Sequence, residues 1–393
     1  MVSSARVAVV GGSIGGLTVA LLLRELGLDV TVFERSGAEL EERGAGIGLL
    51  PASSRYLVER AHHDLDDLSV CTRFIRYLDR RGSVVHEREQ PYRFSNWNTV
   101  YRSLLRCFGP QRYLLGRECV GFRPRPGKAV LVQAGGGELE VDLHVCADGV
   151  GSRARAGLLP HVHPEYAGYV AWRGLVPEVE LGEAAAPLVD AITYYVYANS
   201  HILVYPIPGR NGSVRPGDRL INFVWYRNYL EGADLTDLMT DREGELRDVS
   251  LPPGSVRPEH VREMRASAGA RLPERIANVV LAVEAPFVQA IFDVEVPRMA
   301  FGRVCLVGDA AFAVRPHAAA GTAKAAADAW ELARACEEED DLESALRAWE
   351  PGQLDLGRSL LARTRRIGRR SQVDCNWTPG DPELIFGLYE PGR

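Results

Sequence analysis

The stretch Val7-Ala8-Val9-Val10-Gly11-Gly12-Ser13-Ile14-Gly15-Gly16 decides how the fold begins. Four apolar residues suit a short buried strand, the glycines mark a tight turn, and Leu17 to Leu26 carries helical spacing. Val30 to Phe33 then reads as a second strand, so the start predicts a βαβ unit. In such a unit Gly11 makes the turn, a small residue at Ser13 lets a pyrophosphate approach the backbone, and Gly16 lets helix and strand pack closely. Ile14 and Gly15 open the helix, where free N–H groups and the positive end of the dipole favour phosphate. Ser13 departs from the usual glycine, and its hydroxyl can itself donate to phosphate. Glu34 follows Gly16 by 18 residues at the end of the second strand, where a carboxylate accepts from ribose hydroxyls, with Arg35 beside it. Together these predict a dinucleotide site rather than a purely structural glycine turn, without separating NAD from FAD.

The whole chain is consistent with a small-molecule enzyme. Its 393 residues suggest about two to three domains on a prior of roughly 150 residues each. Hydrophobic residues at 46% and charged residues at 25% are those of a globular protein. A net charge of -6 argues against a nucleic-acid partner, which requires a basic footprint. Seven scattered cysteines without C-x-x-C spacing predict reduced thiols, no metal site and a cytoplasmic setting. Neither an export signal nor an apolar run of the roughly 20 residues needed for a bilayer is visible, so no membrane association is expected. Lysine is confined to Lys128 and Lys324.

The predicted fold class is α/β, with a Rossmann-like nucleotide domain interleaved with an α+β layer built on an antiparallel sheet. Residues 1–71, 101–165 and 286–336 are assigned to the first, residues 72–100 and 166–285 to the second, and 337–393 to C-terminal helices and a tail. Aromatic and β-branched runs such as Tyr169 to Leu175, His201 to Ile207 and Leu220 to Tyr226 carry the sheet. Lys128 to Asp148 reads as a return to parallel-sheet style with a hairpin at Gly135 to Gly137. The arginines Arg363, Arg365, Arg366, Arg369 and Arg370 read as a solvated helix face, and the last residues as a tail packed on the surface.

Two further motifs follow strands: Asp148-Gly149-Val150-Gly151-Ser152-Arg153-Ala154-Arg155, and Gly308-Asp309 leading through Pro316 to a helix near Gly321. Either aspartate alone is an ordinary turn residue. Combined with Gly11 to Gly16 and Glu34, however, the set resembles the class A flavoprotein monooxygenases of the 4-hydroxybenzoate hydroxylase fold family, over essentially the whole chain. The resemblance implies FAD. It places Glu34 at the adenosine ribose, Val120 by the adenine, Arg102 and Asp148 along the FAD chain, and Asp309 at the ribityl or pyrophosphate region. Gly46 and Ile47, within Gly44-Ala45-Gly46-Ile47, would pass beside the flavin, and backbone N–H groups of Gly321, Thr322 and Ala323 would meet its ring. It further implies that NADH or NADPH binds transiently to reduce FAD, that O2 forms a C4a-hydroperoxide, and that an electron-rich ring is hydroxylated.

The family's usual Gly-x-Gly-x-Asn is replaced here by Ala319-Ala320-Gly321-Thr322-Ala323, a form shared with a hydroxypyridine-type subgroup. The expected reaction is therefore 3-hydroxylation of 2,6-dihydroxypyridine. A phenolic biosynthetic intermediate and a reductase or dehydrogenase of the same fold are the alternatives. A halogenase is disfavoured because neither lysine suits its tunnel, and a non-catalytic binding protein would be colourless. His317 is the candidate proton acceptor, against a histidine that only packs the loop. Tyr205, Trp225 and Pro316 are the candidate ring-binding residues, with Tyr169, Trp172 and His201 as weaker ones; core packing is the competing role for the aromatics. A homodimer is expected on base rate alone.

Overall fold

The structure is a computed structural model that describes residues 5–40 and 45–393, so Gly44 of the quoted segment lies outside the described residues. Its first layer is a six-stranded sheet in the order Ala300–Phe301, Val304–Leu306, Leu143–Cys146, Arg6–Val10, Asp29–Phe33, Tyr113–Leu114. All its pairings are parallel except the edge hairpin Ala300–Phe301 with Val304–Leu306. Val7 to Val10 are buried because the sheet packs against the helix Ile14–Glu25 and against the strands Lys128–Gln133 and Glu138–Val141, which is why the run is continuously apolar. The helix Ile14–Glu25 packs against Gly321–Glu338, linking the two ends of the chain.

The second layer is a nine-stranded sheet running from Ser250–Leu251 through Phe287–Asp293, Glu165–Pro177, Leu220–Asn228, Ser200–Ile207, Ala191–Tyr197, Val70–Leu78 and Val84–Asn96 to Gly46–Gly48. It recruits strands across the divisions read from sequence. Gly46–Gly48 comes from residues 1–71, and Phe287–Asp293 from residues 286–336.

Several expectations are corrected. Lys128–Gln133 and Glu138–Val141 do form a hairpin, but with Cys119–Arg125 they make a separate antiparallel sheet; only Leu143–Cys146 joins the parallel one. Pro258–Arg271 and Glu274–Ala282 are helices inside a stretch read as strands. Each starts at or just after a proline, which fits a first helical turn, where the N–H has no intrahelical partner.

The arginine-rich segment lies on Leu342–Gln372, and of the five arginines only Arg366 and Arg369 are exposed as a solvated face requires. Arg363 is only 6% exposed, while Arg365 and Arg370 pair with Asp293 and Asp381 at 2.9 and 2.7 Å. The reason is that the helix packs on the large sheet and the tail folds back over it, burying Trp377, Leu384, Phe386 and Leu388.

Candidate active site

A cleft opens at the C-terminal ends of the parallel strands, lined by Gly11, Gly12, Ser13, Glu34, Arg35 and Asp148, with Trp97, Arg117, Glu118 and Cys119 on its far side. Gly11 has φ +104°, and a Cβ there would stand 2.2 Å from the Ala147 carbonyl oxygen. A Cβ on Gly16 would lie 1.9 Å from the Gly11 carbonyl oxygen, and one on Gly15 3.0 Å from the Ala325 Cβ. At Gly11 and Gly16 the atom met is a backbone carbonyl oxygen that cannot move aside, so only glycine fits there. Ser13 caps the helix by position but makes no side-chain cap, which leaves its hydroxyl and the first N–H groups facing the cleft.

Glu34 is buried, and its carboxylate accepts from the Gly12 and Ser36 N–H groups, both at 2.9 Å. Asp148 accepts from the Arg153 N–H at 2.9 Å through Oδ2, while its Oδ1 is buried without a protein partner. A buried acceptor of that kind calls for a ligand hydroxyl or N–H. Glycine cradle, free helix N–H groups and unpartnered carboxylate oxygen together fit a pyrophosphate flanked by sugar hydroxyls.

The two aspartate motifs are physically joined. Arg155, 2% exposed, donates to the carbonyls of Ala310 and Val150 at 3.1 and 2.5 Å. Gly308, at φ +60°, donates its N–H to the Asp328 carboxylate at 2.8 Å, and Lys324 pairs with the same oxygen at 2.7 Å. Both Lys324 and Asp328 are fully buried. Sequence reading missed this pair, since Lys and Asp four residues apart on a helix normally signal an exposed ion pair. Asp309 itself is exposed.

The other expected cofactor residues are distributed unevenly. Ile14 is buried in the core, so only its backbone faces the phosphate-type turn. Val120 is exposed and lies next to Cys119, which lines the cleft, without lining it itself. Arg102, on Trp97–Phe108, donates to the Arg210 carbonyl at 3.2 Å and lines a neighbouring surface groove with Glu39 and Tyr113. Gly321 and Thr322 are half buried at the start of their helix, and Ala323 is buried.

Gly46–Gly48 is gripped from both sides. The Gly46 N–H donates to Asn222 at 3.1 Å, and its carbonyl accepts from the Tyr205 hydroxyl at 2.9 Å and from Arg173 at 2.6 Å. A Cβ on Gly48 would stand 2.7 Å from that of Ala319, which holds the left-handed φ of +54°. Ile47, between them, is half buried. Asn222 and Arg173 were not anticipated, because their contacts to residue 46 span 176 and 127 residues of chain.

On the same sheet face as Tyr205 lie Tyr169, Tyr194, His201 and Tyr226, together with His317 from the loop. Trp225 is not among them. Strand parity turns it, with Trp172, Ile221 and Phe223, to the opposite face, against the helices Pro258–Arg271 and Glu274–Ala282. There its indole donates to the Tyr197 and Ser200 hydroxyls at 3.2 and 3.1 Å. Trp225 is therefore a core residue, and its assignment to ring binding is withdrawn. Pro316 is exposed at the first position of a short 3-10 turn, Pro316–Ala318.

His317 is buried, with Nε2 2.7 Å from the Tyr169 hydroxyl and Nδ1 without a protein partner. Arg315, whose guanidinium carbon lies 5.6 Å from the Tyr169 ring centroid, is held by Asp293 at 2.8 Å. Burial, helped by His201 and the Arg315 charge, pushes the His317 imidazole well below its ordinary value. It is neutral at pH 7 and a weaker base than a free imidazole.

Burial likewise pushes His144 down to about 4 and His201 to about 3. Because all three folded values lie below the unfolded value of about 6.5, the unfolded chain binds more protons below that pH. Stability is thus full above about pH 6.5 and declines on acidification toward the folded values, by up to about 1.4 kcal/mol per pH unit for each histidine. Urea unfolding at pH 7, 6 and 5, above most carboxylate titration, is expected to show this slope. An unfolding free energy unchanged from pH 7 to 5 would contradict it.

The comparisons with known proteins agree with this geometry. The profile of a family described as FAD binding domain-like matches residues 166–293. The chain is 38% identical to 2,6-dihydroxypyridine 3-monooxygenase of Paenarthrobacter nicotinovorans over 98% of its length and 96% of that protein. It is 30% identical to 3-amino-4-hydroxybenzoate 2-monooxygenase of Streptomyces platensis, covering 92% and 87% of the two chains. The solved 2,6-dihydroxypyridine-3-hydroxylase of Arthrobacter nicotinovorans superposes with a TM-score of 0.94 at 37% identity, over 100% and 98% of the chains. A substrate complex of salicylate hydroxylase shares the fold, with a TM-score of 0.74 at 22% identity over 97% and 91%.

The chain belongs to the class A FAD-dependent aromatic monooxygenases, the 4-hydroxybenzoate hydroxylase fold family. It is an FAD-dependent aromatic hydroxylase that takes its electrons from NAD(P)H and acts on a small molecule. Among the described residues, no helix is long and apolar enough to cross a membrane.

Proposed function

We propose that this enzyme hydroxylates 2,6-dihydroxypyridine at carbon 3 with O2 and NADH or NADPH, in the cytoplasm and as a homodimer. The observation that carries the substrate is the near full-length similarity to 2,6-dihydroxypyridine 3-monooxygenase. The site is compatible with it. A dihydroxylated heteroaromatic needs a flat aromatic wall and a proton acceptor, and Tyr205 and Tyr226 stand on the same face as His317, whose Nδ1 has no partner.

FAD supplies the redox chemistry, accepting a hydride from NAD(P)H and activating O2 for transfer of one oxygen atom to the ring. In this reading the N–H groups of Ser13, Ile14, Gly15 and Gly16 would face the pyrophosphate, with the helix dipole opposing its charge, while Gly11, whose own N–H donates to the Phe33 carbonyl at 2.9 Å, makes the turn that lets it approach. Glu34 accepts from the adenosine ribose, its remaining lone pairs being free beyond the Gly12 and Ser36 bonds. Arg35 and Val120 flank the adenosine end, and Arg102, Asp148 and Asp309 hold the chain toward the flavin. Gly46 and Ile47 would lie along one side of the flavin ring, and the N–H groups of Gly321, Thr322 and Ala323 would meet its pyrimidine edge.

His317 Nδ1 accepts the proton of a ring hydroxyl, with Tyr169 orienting the imidazole through Nε2. Its lowered basicity keeps it neutral, and in the tautomer that donates Nε2–H to the Tyr169 hydroxyl oxygen Nδ1 is the open acceptor. Pro316 sets the entry of the loop.

The test is anaerobic stopped-flow reduction of the FAD-loaded enzyme by NADH, screened over hydroxypyridines and phenols, followed by product identification in air. Acceleration of reduction and a trihydroxypyridine product are expected with 2,6-dihydroxypyridine. If that ring does neither while a phenol does both, the substrate assignment falls. NADH oxidation with no hydroxylated product from any ring would make the protein a reductase.

A further inference from the structure

The tail that closes the chain is fastened in a way that surface packing does not require. Arg363, on the helix Leu342–Gln372, is buried, and its guanidinium donates to three alternate carbonyls of the tail: Glu383 at 3.3 Å, Ile385 at 2.5 Å and Gly387 at 3.0 Å. Taking a cation out of water is costly unless its donors are satisfied, and here the tail backbone satisfies them, so an aliphatic side chain in its place would leave those carbonyls without a donor. What the guanidinium achieves is a fixed backbone path from 383 to 387, the stretch that carries Phe386.

That stretch meets the active site directly. The Gly387 N–H donates to the Ala318 carbonyl at 3.2 Å, so the tail is hydrogen-bonded to the loop that bears His317. The Phe386 N–H donates to the Tyr92 hydroxyl at 2.9 Å, and its ring lies 4.6 Å from Tyr92 and 6.4 Å edge-on from Phe94. Phe94 in turn stacks on Tyr205 at 4.2 Å. A Cβ on Gly48 would come within 3.9 Å of the Phe386 ring. Trp377, at the start of the tail, lies against His201 at 4.6 Å with the rings tilted by 32° and stands 6.4 Å from His317. Leu388 packs with Ala318, Ala320 and Ala323. Tail side chains thus touch Gly48, the ring face and the 316–323 loop, three elements contributed by distant parts of the sequence.

We propose that the C-terminal segment from Trp377 to Leu388 is a wall of the ring site, with Phe386 a specificity-determining residue and Arg363 the positioning residue that holds it. The inference rests on the reading that the ring binds between this sheet face and the 316–321 loop. A wall formed by the tail excludes water from the flavin edge and limits the size of ring admitted. Phe386 is buried against Tyr92 and Phe94, so truncating it opens the site at this wall.

The experiment compares the FAD-loaded wild type with Arg363→Met, Phe386→Ala and the conservative Phe386→Leu. The first readout, made without any ring compound, is iodide quenching of flavin fluorescence. Severalfold stronger quenching is expected in Arg363→Met and Phe386→Ala, with Phe386→Leu near wild type. The second is hydroxylated product per NADH oxidised, for a monocyclic hydroxypyridine and a bicyclic hydroxyquinoline. Phe386→Ala is expected to lower the preference for the smaller ring about tenfold or more in kcat/KM, and both truncations to divert NADH into hydrogen peroxide. Folded, flavin-bearing Arg363→Met and Phe386→Ala proteins with wild-type quenching would overturn the proposal. Should Arg363→Met fail to fold, Phe386→Ala alone decides. Should the wild type hydroxylate neither ring, the substrate reading fails and the quenching result still decides whether the tail is a wall.

Discussion

Gly11→Ala protein is expected to emerge from purification nearly free of flavin and to take up little on incubation with FAD. The methyl group would need to stand 2.2 Å from the Ala147 carbonyl oxygen, at a φ of +104° that L-residues rarely adopt. Backbone strain of this kind costs of order 1–3 kcal/mol, and overpacking against a backbone that cannot move aside adds a further 1–3 or so. Even the lower sum of about 2 kcal/mol weakens FAD binding about thirtyfold if it falls on the flavin-competent conformation. Gly27→Ala is the control. Gly27 also has a positive φ, of +83°, but nothing lies within 4 Å of its would-be Cβ, so strain arises without a clash at the cleft. Flavin content after reconstitution, with thermal unfolding of each apoprotein, separates the cases. Wild-type FAD stoichiometry in Gly11→Ala would remove the glycine turn from the binding site.

The second large effect is expected at His317. His317→Gln keeps a polar side chain of similar reach but cannot take up a proton, and general-base contributions of this type are worth about 10²- to 10⁴-fold in rate. Hydroxylation should fall within that range while FAD content and dithionite reduction of the flavin stay as in wild type. Tyr169→Phe removes the partner 2.7 Å from Nε2 and should cost less, about tenfold, the worth of one orienting hydrogen bond. The informative measurement is the pH profile of hydroxylation from 6 to 9 in the three proteins. Equal rates for wild type and His317→Gln across that range would take the imidazole out of the reaction and leave it a packing residue of the loop.

How far the site could be read in advance depended on whether its chemistry was local in sequence. Gly11, Ser13, Gly16 and Glu34 sit within one βαβ unit, where a turn, a helix start and a strand end follow from spacing. The ring face was harder. Tyr205 and Trp225 are both aromatics on central strands of the same sheet, yet only Tyr205 faces the loop that bears His317. Side chains alternate along a strand, and a strand buried on both faces carries apolar residues at every position, so no polar alternation marks which face is which.

Residues whose contacts span long stretches of chain were not legible at all. The spacing of Lys324 and Asp328 carries no sign of burial, and only the contact of Gly308 with the helix shows that they brace a turn. Asn222 and Arg173 hold Gly46 from the far side of the sheet. Arg363 belonged to a run of arginines that composition alone assigns to solvent, and its burial follows from a tail whose return path no local pattern encodes.

The sequence by itself therefore determined the nucleotide layer, the interleaved second sheet and the chemical family. Those features rest on short-range necessities: glycine where a backbone must approach, a carboxylate at a strand end, apolar runs where both faces are covered. Which aromatics face the ring, what clamps the Gly308 turn and what closes the site were decided only by tertiary structure. Each depends on strand parity or on contacts between segments far apart in the chain, and such contacts acquire an energy only once the chain has brought the partners together and excluded water from between them.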